Sequence, residues 1–517
     1  MTHTPYQSYA QMLRRHATER GKRPALTFGD MTWTFEELHE NSSRTGQALR
    51  GLGVQAGDRV ALLTKNCAEC FELMFACNKT GAIFAGLNWR LAASEIAAIV
   101  CDAMPKVIVV SPEETPLLAQ LPKDVAAQIH IVTLGASYQA LKAQASSQDP
   151  GHDGQPDEVA LLLYTSGTTG LPKGVMITNE NMGYTAQLGQ AWGMNEQSVN
   201  LVAMPMFHIG GCGYGSSAMT RGGHTVLLRE VQPGLMVSCI ARYKVTHLFL
   251  VPTVIQSLLQ AEGVQEADLS SLQLLMYGAA PMGDVLLRKA MNMLPCRFIQ
   301  AYGMTETAGT VSVLPPDDHV PEGPRSQLLN SVGRAYPWVD LRVVDPTTLA
   351  DVAHHQVGEL WIKSRMVMKG YWNQPKETDA ALVDGVWLRT GDAAYLNEDG
   401  YIFLFDRFKD MIISGGENIY PAEIENILNG HPAVREVAVI GVPHDTWGET
   451  PRAIVVLRPE QTASPQELIE FTRARLAHYK CPTSVVFTQA LPRNASGKLL
   501  KRELRLMQTD LQPGVHP

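Results

Sequence analysis

The sequence predicts an α/β protein with a large N-terminal domain of parallel-type sheets flanked by helices and a small α+β C-terminal domain. Three observations favour this fold class. The chain has 517 residues, more than a single hydrophobic core usually serves. From about Arg59 onward, short apolar runs alternate with segments of helical length, which is typical of βαβ units. Beyond Asp406 the elements become shorter, and a domain of about 110 residues fits there.

The predicted strands are short runs of apolar and β-branched residues. In the large domain they comprise residues 60–63, 106–110, 246–251, 273–276 and 297–300. In the small domain, residues 434–442 and 453–457 are predicted strands and residues 465–477 a helix. Residues 136–154 are rich in Ser, Gln, Ala and Asp, so we expect a loop or a short surface helix there.

Composition and charge limit the classes of function. Hydrophobic residues make up 45% of the chain and charged residues 18%, as in ordinary globular proteins. The formal net charge of −8 argues against a dedicated nucleic-acid binder. Eight cysteines in a chain of this length do not form a disulfide framework. Cys67 and Cys70 form one CxxC pair without a second pair, so we expect them to be buried core residues.

The termini and the apolar stretches favour a cytoplasmic protein without a membrane span. The first 24 residues contain five basic residues but no apolar run, which is unlike a signal peptide. The last four residues are not a peroxisomal address. Residues 201–219 form the most membrane-like stretch, but they include Pro205, His208 and four glycines. We therefore predict a buried, loop-rich segment there.

The sharpest local signal is a stretch rich in glycine and hydroxyl side chains. The apolar run 159–163 leads into Tyr-Thr-Ser-Gly-Thr-Thr-Gly-Leu-Pro-Lys-Gly at residues 164–174. Its glycines let the backbone approach an anion, its hydroxyls offer donors, and Lys173 supplies a positive charge. The register Gly-x4-Gly-Lys-Ser/Thr of a P-loop does not fit. By composition alone, a phosphate-binding loop and a flexible turn are about equally favoured.

This stretch resembles the phosphate loop of the adenylate-forming superfamily, which includes acyl-CoA ligases, firefly-type luciferases and peptide-synthetase adenylation domains. Seven further segments resemble the motifs of that family, in order and at compatible spacing, so that the resemblance covers about residues 25–505. They are residues 205–208 (PxFH), 277–281 (adenine loop), 301–307 (YGxTE), 390–392 (TGD), 406–410 (hinge), 415–418 and 492–498.

The resemblance implies that the large domain binds ATP and Mg²⁺. Glu306 would ligate Mg²⁺, a cation that prefers carboxylate and phosphate oxygens, and Thr305 would contact the α-phosphate. Tyr302 would lie on the adenine ring, while Asp392 and Arg407 would bind the ribose. The implied phosphate-loop residues are Thr165, Ser166, Gly167, Thr168, Thr169, Gly170 and Lys173, and those of the adenine loop are Gly278, Ala279 and Ala280.

The same resemblance places the main catalytic group in the small domain. Lys498 would bridge the acid and the α-phosphate, where an ammonium offsets the negative charge that develops during attack. Lys409 would be the hinge residue about which a mobile small domain turns between two half-reactions. The implied division is residues 1–405 for the large domain, 406–410 for the hinge and 411–517 for the small lid domain.

Coenzyme A is the second substrate that the resemblance implies. Gly416, which has no Cβ, would line the tunnel for the pantetheine arm. Trp447 is either a coenzyme A contact or a core residue of the small domain, with the two alternatives about even, and Lys480 is a weaker candidate contact. His208 would act as a gate between the acid pocket and the thiol tunnel rather than as a base.

The implied reaction is that of an AMP-forming carboxylate–CoA ligase. Acid and ATP give acyl-AMP and pyrophosphate, and coenzyme A then gives acyl-CoA and AMP. Relatives specific for acetate have Trp where Gly303 stands here, which predicts room for a larger acid. Gly210, Gly211, Gly213 and Gly278 favour the same interpretation. A fatty or other bulky hydrophobic acid is favoured because each buried CH₂ contributes about 0.8 kcal/mol. Aryl and steroid side-chain acids remain open.

Rival functions within the superfamily are less favoured. A peptide-synthetase domain would have an Asp near the PxFH motif for an amino group, and residues 208–211 contain none. A ligase that loads an acyl carrier protein stays open, although the motif spacing contains no obvious insertion of the kind that blocks coenzyme A. A luciferase-like oxygenase shares every nucleotide motif. The expected partner is a small carboxylic acid and not nucleic acid, and a homodimer is left open.

Overall fold

The structure, a computed structural model, describes residues 7–165, 172–407, 410–414, 417–444, 446–493 and 499–507. Within these residues the strands are Pro24–Phe28 (β1), Met31–Thr34 (β2), Arg59–Leu63 (β3), Ile83–Leu87 (β4), Val107–Val110 (β5), His130–Thr133 (β6), Val159–Thr165 (β7), Lys173–Thr178 (β8), Val199–Val202 (β9), His224–Leu227 (β10), His247–Leu250 (β11), Leu274–Gly278 (β12), Arg297–Met304 (β13), Gly309–Leu314 (β14), Arg334–Ala335 (β15), Val339–Val344 (β16), Gly358–Ser364 (β17), Gly370–Tyr371 (β18), Leu382–Val383 (β19), Trp387–Leu396 (β20), Ile402–Arg407 (β21), Ile412–Ser414 (β22), Glu417–Ile419 (β23), Val434–His444 (β24), Gly448–Leu457 (β25) and Ser484–Phe487 (β26).

The α-helices within the same residues are Tyr9–Arg20 (α1), Phe35–Gly51 (α2), Ala68–Thr80 (α3), Ala93–Ala103 (α4), Lys123–Ala126 (α5), Ala136–Ala143 (α6), Asn179–Ala191 (α7), Ile209–Thr220 (α8), Pro233–Tyr243 (α9), Pro252–Leu258 (α10), Asp284–Met293 (α11), Pro375–Ala381 (α12), Pro421–Asn429 (α13), Pro465–Arg473 (α14) and Lys501–Leu506 (α15). In the described part of the chain, no helix combines the length and the apolar character needed to cross a membrane.

Among the residues that the structure describes, two of the four sheets are mainly parallel. One has nine strands in the order β15-β14-β13-β12-β11-β9-β10-β1-β2, and the other has seven in the order β18-β8-β7-β4-β3-β5-β6. Strands β13 to β1 of the first sheet and β7 to β6 of the second run parallel. These strands are nearly continuous runs of buried apolar residues, which a sheet covered by helices on both faces requires.

The other two sheets are antiparallel or mixed. A sheet of β16, β17, β19, β20 and β21 is wholly antiparallel. The last sheet is formed by β22 to β26 and is antiparallel except that β26 runs parallel to β25. It packs with α13, α14 and α15 around its own apolar cores, which include Ile424, Val439 and Leu468. The α/β fold class with a smaller α+β C-terminal part is thereby confirmed. The exact domain bounds and the mobility of the lid stay predictions.

The structure corrects two local predictions. Residues 201–219 are not loop-rich, because α8 begins at Ile209 and runs through all four glycines. A helix rich in glycine is stable here because it is buried and its neighbours approach closely, so that a Cβ at Gly211 would overlap the carbonyl oxygen of Pro205. Helix α14 ends at Arg473 rather than near residue 477. The CxxC pair is buried at the start of α3, as predicted.

Three of the motif segments follow the ends of strands in the two large sheets. The phosphate loop follows β7, the adenine loop follows β12, and the Thr-Glu segment follows β13. Ligands of open α/β sheets bind at the carboxyl ends of the strands, where loops and helix starts converge. The fold therefore brings together motifs that are far apart in the sequence.

Candidate active site

A β-hairpin carries the phosphate loop. Strands β7 and β8 pair antiparallel so that Thr165 lies opposite Lys173, at the two points where the loop leaves and re-enters the sheet. The predicted loop residues Ser166, Gly167, Thr168, Thr169 and Gly170 lie outside the described residues. The hairpin is anchored just before the loop, because the hydroxyl of Tyr164 donates to Oδ2 of Asp102 at 2.6 Å. Burial and this carboxylate raise the pKa of Tyr164.

Lys173 and Glu306 meet through a tyrosine. The Nζ of Lys173 lies 4.9 Å from the centre of the Tyr371 ring, a distance typical of a cation–π contact. The hydroxyl of Tyr371 donates to Oε1 of Glu306 at 3.0 Å. The structure therefore joins the lysine of the phosphate loop to the carboxylate of the YGxTE motif.

Glu306 lies in a short 3₁₀ turn, Thr305–Thr307, that directly follows β13. Thr307 fixes this turn, because its Oγ1 accepts from the Met304 amide at 3.0 Å and lies 2.7 Å from the carbonyl oxygen of Gly309. The Met368 amide donates to the Glu306 carbonyl oxygen at 2.8 Å. Thr305 and Glu306 are only 7% and 8% exposed. The carboxylate thus sits on a rigid turn, which suits a group that must present its oxygens in one geometry.

The predicted adenine and ribose residues lie close together. Gly278 ends β12 and pairs with Ala301 of β13, and Ala279 follows with φ of 61°, which turns the chain away from the sheet. The hydroxyl of Tyr302 donates to Oδ2 of Asp392 at 2.6 Å. A carboxylate can accept about four hydrogen bonds, and the role of Asp392 as an acceptor for ribose hydroxyls stays a prediction. Ala280 follows Ala279 and is half-buried.

His208 caps the start of α8. Its Nδ1 accepts from the Gly210 amide at 3.2 Å. A backbone amide can only donate, so Nδ1 carries no proton, and a neutral ring is protonated at Nε2. The ring is half-buried, and Gly210 lies against Phe249, whose Cε1 would be 3.0 Å from a Cβ at that position. The Gly210 amide therefore helps to orient the ring of His208, and its role as a gate stays a prediction.

The predicted residues around the small domain are only partly described. Lys409, Gly416, Lys498 and the side chain of Arg407 lie outside the described residues, although the Arg407 backbone pairs with Asp392. Trp447 is 54% exposed, so the alternative that it is a core residue is wrong. Its role as a coenzyme A contact stays a prediction. Lys480 pairs with Glu423 at 2.8 Å, and a ligand would have to compete with that carboxylate.

The glycines interpreted as space for the acid are instead points of close packing. A Cβ at Gly303 would overlap the carbonyl oxygen of Gly309, and one at Gly278 would overlap that of Ala301. The physical reason at Gly303 is a register shift between β13 and β14 that brings the two backbones together. Gly211 and Gly213 also face neighbouring atoms at less than 3.0 Å from a Cβ. The presence of these glycines therefore gives no information about the size of the acid pocket.

Sequence reasoning missed a buried asparagine that holds the His208 segment. The Nδ2 of Asn66 donates to the carbonyl oxygens of Met204 and Leu228 at 3.0 Å each, and its Oδ1 accepts from the Met206 amide at 2.9 Å. Asn66 is 3% exposed. In the sequence it is one of three polar residues, 64–66, between two apolar segments, and nothing distinguishes it there. Tyr371 was also missed, and no local pattern indicates it.

The donor set fits Mg²⁺ only in combination with phosphate oxygens. Within the described ranges, no group of three or more His, Cys, Asp and Glu side chains could hold a metal ion by itself. Glu306 offers a hard carboxylate near Lys173, where the resemblance predicts the phosphates. Mg²⁺ is commonly bound by one or two carboxylates, waters and substrate phosphates. The residues present therefore fit a cation that arrives with ATP.

These elements define a nucleotide-dependent enzyme, and comparisons with known proteins agree. The model of the AMP-binding enzyme family matches residues 13–372, and that of the AMP-binding enzyme C-terminal domain matches residues 423–498. The chain belongs to the AMP-binding enzyme family, within the adenylate-forming acyl-CoA synthetase superfamily. It is an AMP-forming acid–thiol ligase.

The relatives found cover nearly the whole chain. A fatty acid–[acyl-carrier-protein] ligase, ScoC, of Streptomyces coeruleorubidus is 38% identical over 509 residues, 97% of each protein. A feruloyl-CoA synthase of an Amycolatopsis species is 38% identical over 489 residues, 93% of this chain and 95% of the relative. Among solved structures, ATP-bound MatB from Rhodopseudomonas palustris superposes with a TM-score of 0.89 at 31% identity, covering 97% of this chain and 99% of that one.

Proposed function

We propose that this enzyme joins a bulky hydrophobic carboxylic acid to coenzyme A through an acyl-adenylate. The observation that carries the proposal is the paired arrangement of the site. Lys173 and Glu306 meet at Tyr371, where phosphates and a cation are expected, and Tyr302 meets Asp392, where the nucleoside is expected. The two pairs offer positive charge and cation-binding oxygen at one end, and an aromatic face with a hydrogen-bonding carboxylate at the other.

In the first half-reaction, an oxygen of the acid attacks the α-phosphorus of ATP and pyrophosphate leaves. The attacking and leaving groups are all anions, so positioning and charge compensation dominate the barrier. Lys173 and the loop between β7 and β8 would hold the leaving phosphates. Glu306 would hold Mg²⁺, which supplies further positive charge at the phosphate oxygens. Thr305 would donate to the α-phosphate, and Lys498 would neutralise charge at the reacting oxygens.

In the second half-reaction, the thiol sulfur attacks the acyl carbon and the bond to the phosphate oxygen breaks. AMP leaves with that oxygen, and the thiol proton goes to solvent. His208 would separate the acid from the incoming thiol, because its ring is fixed by the Gly210 amide. Rotation of the small domain about Lys409 would replace Lys498 by Gly416 and the pantetheine arm. Trp447, exposed on the hairpin of β24 and β25, would contact the coenzyme.

The surroundings of His208 support an apolar acid. Phe249 packs against Gly210, and its ring lies 5.3 Å from that of Tyr214 in the aromatic core beside α8. An apolar or aryl chain entering this region gains about 25 cal/mol for each Å² that it buries. The full-length similarity to relatives named for fatty and ferulic acids supports the same class. A fatty acid is favoured, and an aryl or steroid side-chain acid is the alternative.

Release of AMP tests the proposal directly. Purified protein with Mg²⁺ and ATP would be given acetate, fatty acids of several lengths, cinnamic-type acids and a steroid acid, each with and without coenzyme A. We expect AMP release that requires coenzyme A and a long or aromatic acid, with acetate the poorest substrate. AMP release that is indifferent to the acid would contradict the proposal.

Lys498→Ala separates the two half-reactions. We expect adenylate formation to fall on the order of 10²–10³-fold, as for loss of one charge-stabilising donor. Thioester formation from supplied acyl-AMP should stay within a few-fold of wild type. Acid-dependent ATP–pyrophosphate exchange measures the first rate, and thioester formation the second. Equal loss in both assays would refute the role assigned to Lys498.

Loading of a carrier protein is the second candidate function. It is favoured by the relative ScoC, which matches 97% of the chain and is named for an acyl carrier protein. The same acid panel would be run with coenzyme A and, separately, with a phosphopantetheinylated carrier protein. Turnover with the carrier at least tenfold faster than with coenzyme A would favour this second function.

A further inference from the structure

We propose that Tyr371 is a positioning residue that fixes Lys173 and Glu306 relative to each other before ATP and Mg²⁺ bind. The inference rests on the proposed function, because it takes the phosphate end of the ATP site as the place where both groups act. Tyr371 belongs to none of the motifs that carry the resemblance to the family. Its placement in the fold, rather than a sequence pattern, indicates the role.

Two contacts of Tyr371, with Lys173 and with Glu306, use different parts of the side chain. The ring face receives the ammonium of Lys173 at 4.9 Å, and the hydroxyl donates to Oε1 of Glu306 at 3.0 Å. A tyrosine ring is rigid, so these two contacts set the spacing between the cation and the carboxylate. They also keep Lys173 and Glu306 from forming a direct ion pair. Such a pair would compete with the binding of phosphates to Lys173 and of Mg²⁺ to Glu306.

The backbone of Tyr371 is itself held firmly. Strand β18 pairs with β8, so that Tyr371 lies opposite Val175, two residues from Lys173. The Tyr371 amide donates to Oγ1 of Thr378 at 2.9 Å. Gly370 has φ of 143°, and a Cβ there would come within 2.7 Å of Thr378. The ring therefore projects from a strand whose position is fixed on both sides.

A second segment links Tyr371 to the turn that carries Glu306. The Met368 amide donates to the Glu306 carbonyl oxygen at 2.8 Å, and the Trp372 amide donates to the Gly174 carbonyl oxygen at 2.7 Å. The strap formed by residues 366–373 therefore bridges the Glu306 turn and the Lys173 hairpin. Groups that orient a metal-binding carboxylate in this way typically change metal affinity 10- to 100-fold when removed.

Tyr401 provides a matched control within the same chain. Its hydroxyl donates to Oδ2 of Asp318 at 2.6 Å, and Arg334 lies 4.9 Å from the centre of its ring. Both tyrosines thus combine a cation over the ring with a hydroxyl bonded to a buried carboxylate. No motif residue takes part in the Tyr401 cluster, so its loss should affect stability without changing the binding of Mg²⁺ and ATP.

The experiment compares Tyr371→Phe and Tyr371→Leu with Tyr401→Phe and Tyr401→Leu. Binding of ATP would be measured by calorimetry over a series of Mg²⁺ concentrations, beside thermal melting of the unliganded proteins and acid-dependent ATP–pyrophosphate exchange. We expect Tyr371→Phe to raise the Mg²⁺ concentration for half-maximal exchange by about tenfold, with the maximal rate recovered at saturating Mg²⁺. Tyr371→Leu should also weaken ATP binding several-fold, because it removes the ring beneath Lys173.

The controls distinguish positioning from a general loss of stability. Both Tyr401 variants should lower the melting temperature and leave the Mg²⁺ requirement within twofold of wild type. The double variant Glu306→Gln with Tyr371→Phe should require no more Mg²⁺ than Glu306→Gln alone, because Tyr371 acts through the Glu306 carboxylate. A Mg²⁺ requirement of Tyr371→Phe within twofold of wild type would overturn the inference. If Tyr371→Leu does not fold, the result for Tyr371→Phe is sufficient for this test. Absence of exchange in the wild type would instead refute the proposed function. Calorimetry with Mg²⁺ and ATP would still test whether Tyr371 affects the binding of Mg²⁺ and ATP.

Discussion

Two buried regions of the large domain each contain a lysine, and they use its charge differently. Lys79 is 0% exposed, and its ammonium contacts Nδ1 and the carbonyl oxygen of His39, Oγ of Ser42 and Oγ of Ser43, all at 2.8–3.0 Å. Asp149 lies 3.6 Å away. Lys173 is only half-buried, and its ammonium rests on the face of the Tyr371 ring.

The difference indicates which lysine serves a ligand. The hydrogen-bonding capacity of Lys79 is met within the protein, so this residue ties α2 and α3 to the segment that precedes β7. An aromatic face attracts a cation but leaves its N–H donors free for stronger acceptors. Lys173 is therefore held in place while its donors stay available to phosphate oxygens. Both residues are lysines, and the groups that surround each ammonium determine whether it stabilises the fold or is available to a ligand.

Lys173→Met should have the largest effect and should act on activity alone. We expect kcat/KM for ATP to fall about 10²-fold, as for loss of one charge-stabilising donor. The free energy of unfolding should change by less than about 0.5 kcal/mol. Lys369→Met is the control, because Lys369 lies on the same strap but donates to the Asp157 carbonyl oxygen at 3.0 Å. A similar loss of activity in Lys173→Met and Lys369→Met would contradict the specific role of Lys173 in ATP binding.

Lys79→Met should have an intermediate effect and should act on stability alone. Removing the amine leaves several buried acceptors without their donor, so we expect a loss of about 1–3 kcal/mol in the free energy of unfolding at pH 9.5. Urea denaturation measures the loss. Lys22→Met is the control, because Lys22 pairs with Glu36 on the surface, where an ion pair contributes little. A change in kcat for Lys79→Met with unchanged stability would contradict the account.

The same variant should flatten the pH dependence of stability. Burial lowers the pKa of Lys79 from 10.5 to about 7, with nearby Asp149 opposing the shift and Arg14 adding to it. Between pH 7 and 10.5 the unfolded chain binds the proton more tightly, so this group stabilises the fold fully above pH 10.5, and the contribution is lost as the pH falls toward 7. Denaturation at pH 7 and at pH 9.5 should show this slope in wild type and not in Lys79→Met.

Trp447→Ala should have the smallest effect and extends the comparison to the small domain. Because the side chain is 54% exposed, the free energy of unfolding should change by less than about 0.5 kcal/mol. Loss of its contact with coenzyme A should raise the KM for the coenzyme roughly three- to tenfold, about 1 kcal/mol. A destabilised protein with an unchanged KM would show that Trp447 has no part in the site.

The sequence predicted the parallel strands and the motif positions well because both depend on local features. Apolar runs such as 106–110 and 246–251 became β5 and β11 almost without change. The antiparallel sheet of β16, β17, β19, β20 and β21 was missed, since β16 and β20 mix buried with partly exposed residues and register shifts interrupt the pairing of β20. The glycines of α8 and Gly303 were misinterpreted because a missing side chain can accommodate a neighbouring backbone as well as a ligand.

Contacts between distant segments account for the rest. Glu306 and Tyr371 are 65 residues apart, and neither the spacing nor the composition between them indicates that they meet. Asn66 similarly reaches Met204 across 138 residues. A family motif identifies Glu306, but only the fold identifies the tyrosine and the asparagine that hold the site in position.

The origin of one oxygen in AMP tests the central claim most directly. The enzyme would be given its preferred acid, labelled with ¹⁸O in both carboxyl oxygens, together with Mg²⁺, ATP and coenzyme A. Attack of the carboxylate on the α-phosphorus, followed by thiol attack on the acyl carbon, leaves one labelled oxygen on AMP. Mass spectrometry should therefore find AMP heavier by the mass of one ¹⁸O substitution. Unlabelled AMP, or label in inorganic phosphate with ADP as the product, would contradict an acyl-adenylate route.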